Sequence, residues 1–228
     1  MADKPPVGLF QRPTSVILCG NSRPLLNWVA YALAVGNPAG VVWTEIKLDG
    51  EVREEDDLLT KQRIPSDRYF EVPPDELVLD DFAGNVAVSG LITTDDSPDT
   101  VRRFTDFLRL PPHIQALLSR LSADGPAPVL VLSNGQRLSA LYSKQTVGPA
   151  LRSVVESGAS LLATWAEAPT ESRHLFENVL HLKGGELSAW RDAVLRVEVA
   201  PPYGPLRAGE TIPLRDFPAV ASVLVEVG

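Results

Sequence analysis

The chain is nearly without cysteine: Cys19 stands alone among 228 residues. That excludes an intramolecular disulfide and any zinc site built on several thiolates. Cys19 ends an apolar run and reads as a small buried hydrophobe rather than a nucleophile. Histidine is scarce as well, with three in all. His174, Glu177 and His181 would share a face only if 171–181 were one helix, and the β-rich run from Asn178 to Leu182 breaks it. No metal site is therefore expected. No G-x-S-x-G elbow is present for nucleophilic catalysis. No stretch of ~18 apolar residues occurs, so no membrane-spanning helix is expected. The first residues, Met1-Ala2-Asp3-Lys4-Pro5-Pro6, lack the apolar centre of a secretory signal, and the expected location is cytoplasmic. Basic excess is missing too. Acidic residues number 29 against 21 basic, a net charge of −8. Phosphate backbones and anionic lipids are held by clustered Lys and Arg, so direct nucleic-acid binding and a membrane partner are not expected. The longest like-charge run, Glu54-Glu55-Asp56-Asp57, reads as a solvated helix start.

What is present is apolar patterning punctuated by proline. Hydrophobic residues make up 44% of the chain, and 20 prolines fall mostly between apolar runs, as loop punctuation. Residues 1–13 form a Pro-rich arm, and 14–228 is expected to be one domain. Strand one covers 14–19. Asn21 or Ser22 then caps a helix in which Pro24 is an early residue. From Leu25 to Leu33 that helix is apolar nearly all round, as a helix buried on several sides should be. Further strands are expected at Val41–Ile46, Asp67–Val72, Val86–Ile92, Ala127–Ser133, Ser160–Trp165 and Asn178–Leu182. Exposed helices are expected over 51–63, from 97 to about 108 and from about 113 to 122, with another from Pro149 to Ser157 and one or two turns at 171–176. Gly184-Gly185 signals a hairpin. Val194–Val199 alternates with period two, and Thr211–Leu214 and Val220–Val227 are further strand candidates. Alternating β and α to 182, then antiparallel strands over 183–228, implies an α/β fold with a mostly parallel central sheet.

The turn after strand one carries the chemical information. An apolar strand, Gly20, a short polar turn Asn21-Ser22-Arg23-Pro24 and a buried helix form the frame of a phosphate-binding loop, G-x-x-x-x-G-K-[ST]. Counted from Gly20, the second glycine falls on Leu25, the lysine on Leu26 and the hydroxyl on Asn27. No ammonium is available for a β- or γ-phosphate, and no hydroxyl for Mg²⁺. Pro24 also removes one backbone donor from the loop.

With these parts in order, the chain resembles the RecA/KaiC-like branch of P-loop ATPases. Ser15–Leu33 stands where the phosphate loop and its helix belong. Val41–Ile46 resembles the second core strand, with Glu45 near the position of the catalytic glutamate. Val129–Ser133 resembles the Walker B strand, which in that family ends in an aspartate; here Ser133-Asn134 take its place. Leu161–Trp165 resembles the next core strand, and 178–201 the C-terminal strands. The resemblance covers roughly 14–200 and implies a three-layer RecA-like fold. Phosphoryl transfer is mainly positioning plus charge neutralisation, so loss of Lys, Mg²⁺ ligands and loop donors together argues against catalysis. A neutral hydroxyl or amide is a poor substitute for a carboxylate on a hard divalent ion.

The expectation is thus a pseudo-ATPase with no cofactor and no catalytic residue. It keeps a vestigial loop (Gly20, Asn21, Ser22, Arg23, Asn27) and acts as a scaffold or regulator through protein contacts, with itself or with an active RecA-like paralogue. Trp190 is the expected interface anchor. Two alternatives stand beside this. One is a sensor or ATPase that binds a nucleotide or small ligand at the strand ends near Gly20, Glu45 and Ser133. The other is a recombination or DNA-repair accessory paralogue that reaches DNA through its partner.

Overall fold

A computed structural model describes residues 9–35, 41–48, 69–72, 86–94, 129–133, 135–136, 151–152, 154–156, 158–167 and 173–227. For 41–48, 69–72 and 86–94 it describes the backbone alone. The helices expected over 51–63, 97–108 and 113–122 lie outside these residues, as does Asn134.

Among the described residues nine strands form one sheet: β1 (Ser15–Cys19), β2 (Val41–Leu48), β3 (Tyr69–Val72), β4 (Val86–Thr94), β5 (Val129–Ser133), β6 (Ser160–Trp165), β7 (Asn178–Lys183), β8 (Val194–Val199) and β9 (Thr211–Pro213). Their order is β3-β4-β2-β5-β6-β1-β7-β8-β9. The pairings from β3 across to β7 are all parallel, and β8 and β9 add antiparallel strands at one end. The chain is therefore α/β with a mostly parallel sheet and an antiparallel margin. β1 pairs in parallel with β6 on one side and β7 on the other. From β1 the chain departs toward β2, beyond β6 and β5, whereas from β6 it passes over β1 into β7. Connections diverge at β1, and such a point opens a crevice at the carboxyl ends of the strands.

Every residue of β1, β5 and β6 is buried, which is why these strands read as continuous apolar runs rather than alternating ones. Helix α1 (Arg23–Val35) lies against β1, β5 and β6. Leu25, Val29, Ala30 and Ala32 are fully buried in it, together with Val16, Leu18, Val129, Val131 and Leu162 of the sheet. A second helix, α2 (Pro218–Val227), packs on α1 through Val220 and Leu224, four residues apart on one helical face. Residues 151–152 and 154–156 are helical, within the stretch expected there.

The C-terminal part departs from expectation in three places. Val220–Val227 is not a strand. Its valines favour extended backbone, but Pro218 opens a helix and the Val220/Leu224 pair has the apolar side of α1 to cover, so packing overrides propensity. Gly184-Gly185 does not make a two-residue hairpin. β7 and β8 pair antiparallel, but the connection between Lys183 and Val194 includes a 3-10 segment, Leu187–Asp192. Gly184 serves close approach instead: a Cβ there would lie 2.5 Å from Ala193 Cβ and 3.2 Å from Leu25 Cδ2. The strand at 211 ends at Pro213, and Leu214 enters a short 3-10 turn as a buried residue.

Candidate functional site

The turn after β1 is built by close packing. Gly20 N–H donates to Trp165 O at 3.0 Å, continuing the β1–β6 ladder one residue further. A Cβ on Gly20 would come 3.1 Å from Leu182 Cβ and 3.2 Å from Leu182 O, so β7 presses directly on the loop backbone. Ser22 O accepts the Leu26 N–H at 2.8 Å, the first bond of α1, which makes Ser22 the capping residue by backbone geometry. Asn21 is exposed, and Ser22 and Arg23 are half-buried at the rim.

Leu25 and Leu26, which stand at the glycine and lysine positions of a working loop, are buried. Leu25 packs beside Gly184, its Cδ2 3.2 Å from where a Cβ on that glycine would lie.

Asn27 and Ser133 meet. Ser133 Oγ donates to Asn27 Oδ1 at 3.2 Å, across 106 residues of sequence. Both side chains are essentially inaccessible, at 1% and 0% exposed. The resemblance sets one at the hydroxyl position of the loop and the other at the carboxylate position of β5. Where the resemblance implies two Mg²⁺ ligands, the fold has a closed amide–hydroxyl pair. Two neutral groups that satisfy each other in a dry site hold no charge for a cation to replace.

Glu45 is brought to the same edge of the sheet. In the parallel register of β2 and β5 it lies opposite Ser133. On its other side the β2–β4 register shifts between Trp43 and Glu45, a bulge at the site's margin. Beyond Ser133, Gly135 N–H donates to Thr164 O at 2.8 Å. The Trp165 ring lies over Gly135, where a Cβ would fall 1.9 Å from Cζ3. Trp165 also meets Phe176 edge-on, with ring centroids 6.3 Å apart. The structure thus gathers Gly20, Asn21, Ser22, Arg23 and Asn27 with Ser133 at the carboxyl ends of β1 and β5, with the Glu45 backbone beside Ser133 within β2. The side chains packed at its centre are Leu25, Leu26, Leu182 and Trp165, together with the Asn27–Ser133 pair.

Trp190 belongs elsewhere. It was the expected interface anchor, but it is 2% exposed and part of the same apolar cluster as Leu25 and Leu214. The turn Leu187–Asp192 folds it inward, and the Arg191 guanidinium stacks 4.9 Å from the ring centre. A surface anchor role is corrected on that ground.

A polar cluster that the sequence did not single out lies on the other face of β7. Glu198 of β8 holds both Arg173 and His181. The hydrogen bond to His181, and then the Arg173 charge, pull its carboxyl below the ordinary value. Cys19, next to His181 across β1 and β7, is buried. Burial, reinforced by the Glu198 charge, pushes its thiol up to about 12. A thiol so protonated at neutral pH is no nucleophile, so Cys19, His181 and Glu198 do not make a catalytic triad. Glu177 points away from His181, accepting from Thr14 Oγ1 at 2.7 Å and pairing with Arg12 at 3.4 Å. Among the described residues no three His, Cys, Asp or Glu side chains are grouped for a metal ion, and no helix is long and apolar enough to cross a membrane. His181 and Glu198 meet through the pairing of β7 with β8, which was not legible locally. No protein-family model matches the chain, and none of the curated proteins does either.

Proposed function

We propose that this chain is a non-catalytic, RecA/KaiC-like P-loop-fold protein that acts as a scaffold or regulator through protein contacts in a homo- or hetero-oligomer. The observation that carries the reading is the Ser133–Asn27 hydrogen bond. It joins the two positions where an active relative would hold magnesium, and closes them on each other. Three further observations support it. β1 is central in a parallel sheet, as a phosphate-loop strand should be. Leu25 and Leu26 are buried hydrocarbon in place of the loop's glycine and lysine. Gly20 is clamped by Leu182 rather than open toward a ligand. Transfer of a phosphoryl group needs its charge neutralised in the transition state, and this site offers a hydroxyl, an amide and leucines.

The test is calorimetric titration with ATP and Mg²⁺, with Glu45→Gln measured beside the parent. The reading expects no heat of binding and no hydrolysis in either. Tight ATP binding with Mg²⁺-dependent turnover that Glu45→Gln abolishes overturns it.

A second reading, a sensor for a nucleotide or small ligand, draws on the alignment of Glu45 with Ser133 beside a strand bulge. A thermal-shift panel of nucleotides separates the two. A true ligand at a hundred times its Kd adds ~2.7 kcal/mol of stability, and a scaffold shows no shift.

A further inference from the structure

We draw no further inference here: the strongest candidate, the outward side of helix α2, where Ser222 and Val225 are exposed and no charged residue stands from Pro218 to Val225, is an unpartnered apolar face, and nothing in the structure shows what covers it.

Discussion

Ser133 Oγ donates to Asn27 Oδ1 at 3.2 Å, tying the carboxyl end of β5 to the second turn of α1 in a site sealed from water. The bond has a structural consequence apart from any function. It satisfies a hydroxyl and an amide that would otherwise be buried alone. Ser133→Ala removes the donor and strands the Asn27 carbonyl, which should cost about 1–3 kcal/mol. Urea unfolding should show a lower midpoint at unchanged slope. The pair is coupled, so Asn27→Ala/Ser133→Ala should cost less than the two single losses added together.

A carboxylate placed at 133 should harm the fold. Ser133→Asp places a charge at a position with 0% exposure, facing the Asn27 carbonyl oxygen. An uncompensated buried charge costs roughly 3–5 kcal/mol. Thermal unfolding at neutral pH should show a large drop, and millimolar Mg²⁺ should restore none of it, because the position is closed to the water that would complete the ion's shell. Recovery on adding Mg²⁺ would mean that the metal site survives.

How far the sequence anticipated this site can be seen from particular residues. The strand, turn and helix at 15–35 were legible because each signal agreed: β-branched run, Gly20, a capping Ser22, an early Pro24 and an all-round apolar helix. Positions 27 and 133 were singled out by the resemblance alone. Their hydrogen bond was not legible, since contact across 106 residues depends on strand order. Val220–Val227 misled because valine prefers extended backbone, and the partner that decides the outcome, α1, lies almost two hundred residues earlier. Trp190 misled because an aromatic residue in a polar stretch resembles a surface anchor; the 3-10 turn that buries it has no strong local signature.

Gly135 is held by volume rather than by backbone angle. Its N–H bonds Thr164 O, and the Trp165 ring occupies the space its side chain would fill, 1.9 Å from the ideal Cβ position. Gly135→Ala must push the indole away from Phe176 or bend the turn after β5. Overpacking of this kind costs about 1–3 kcal/mol. Denaturation midpoints should fall accordingly, with Trp fluorescence of the folded state altered as the ring moves.

Glu198 sets an acid-side dependence. Its carboxyl is depressed from 4.5 by the hydrogen bond to His181 and by Arg173. A depressed acid is stabilising while ionised, so its contribution is complete above 4.5 and is lost as pH falls through the lower folded value. Glu198→Gln should therefore lie below the parent in Tm at about pH 5, and the two curves should converge as pH falls below 4.5. Parallel curves down to the acid transition would show that the cluster contributes nothing through ionisation.

Cys19 gives the complementary prediction on the alkaline side. Its thiol is buried in the β1 ladder and raised to about 12 from 9.0. Alkylation requires both thiolate and access, and the folded chain supplies neither. Iodoacetamide at about pH 8.5, near the ordinary thiol value, should leave the native protein unlabelled and modify it fully in denaturant. The sign for stability follows from the same shift. Below 9.0 both folded and unfolded thiols are protonated, and Cys19 has no pH effect. Between 9.0 and about 12 the unfolded thiol ionises while the folded one does not, so stability should fall through that window. Cys19→Ser does not ionise there and should lose this part of the alkaline slope. Its absolute stability should still be lower, because the hydroxyl is buried in an apolar strand. Native labelling at the rate of a free thiol would show that the end of β1 opens far more readily than its packing implies.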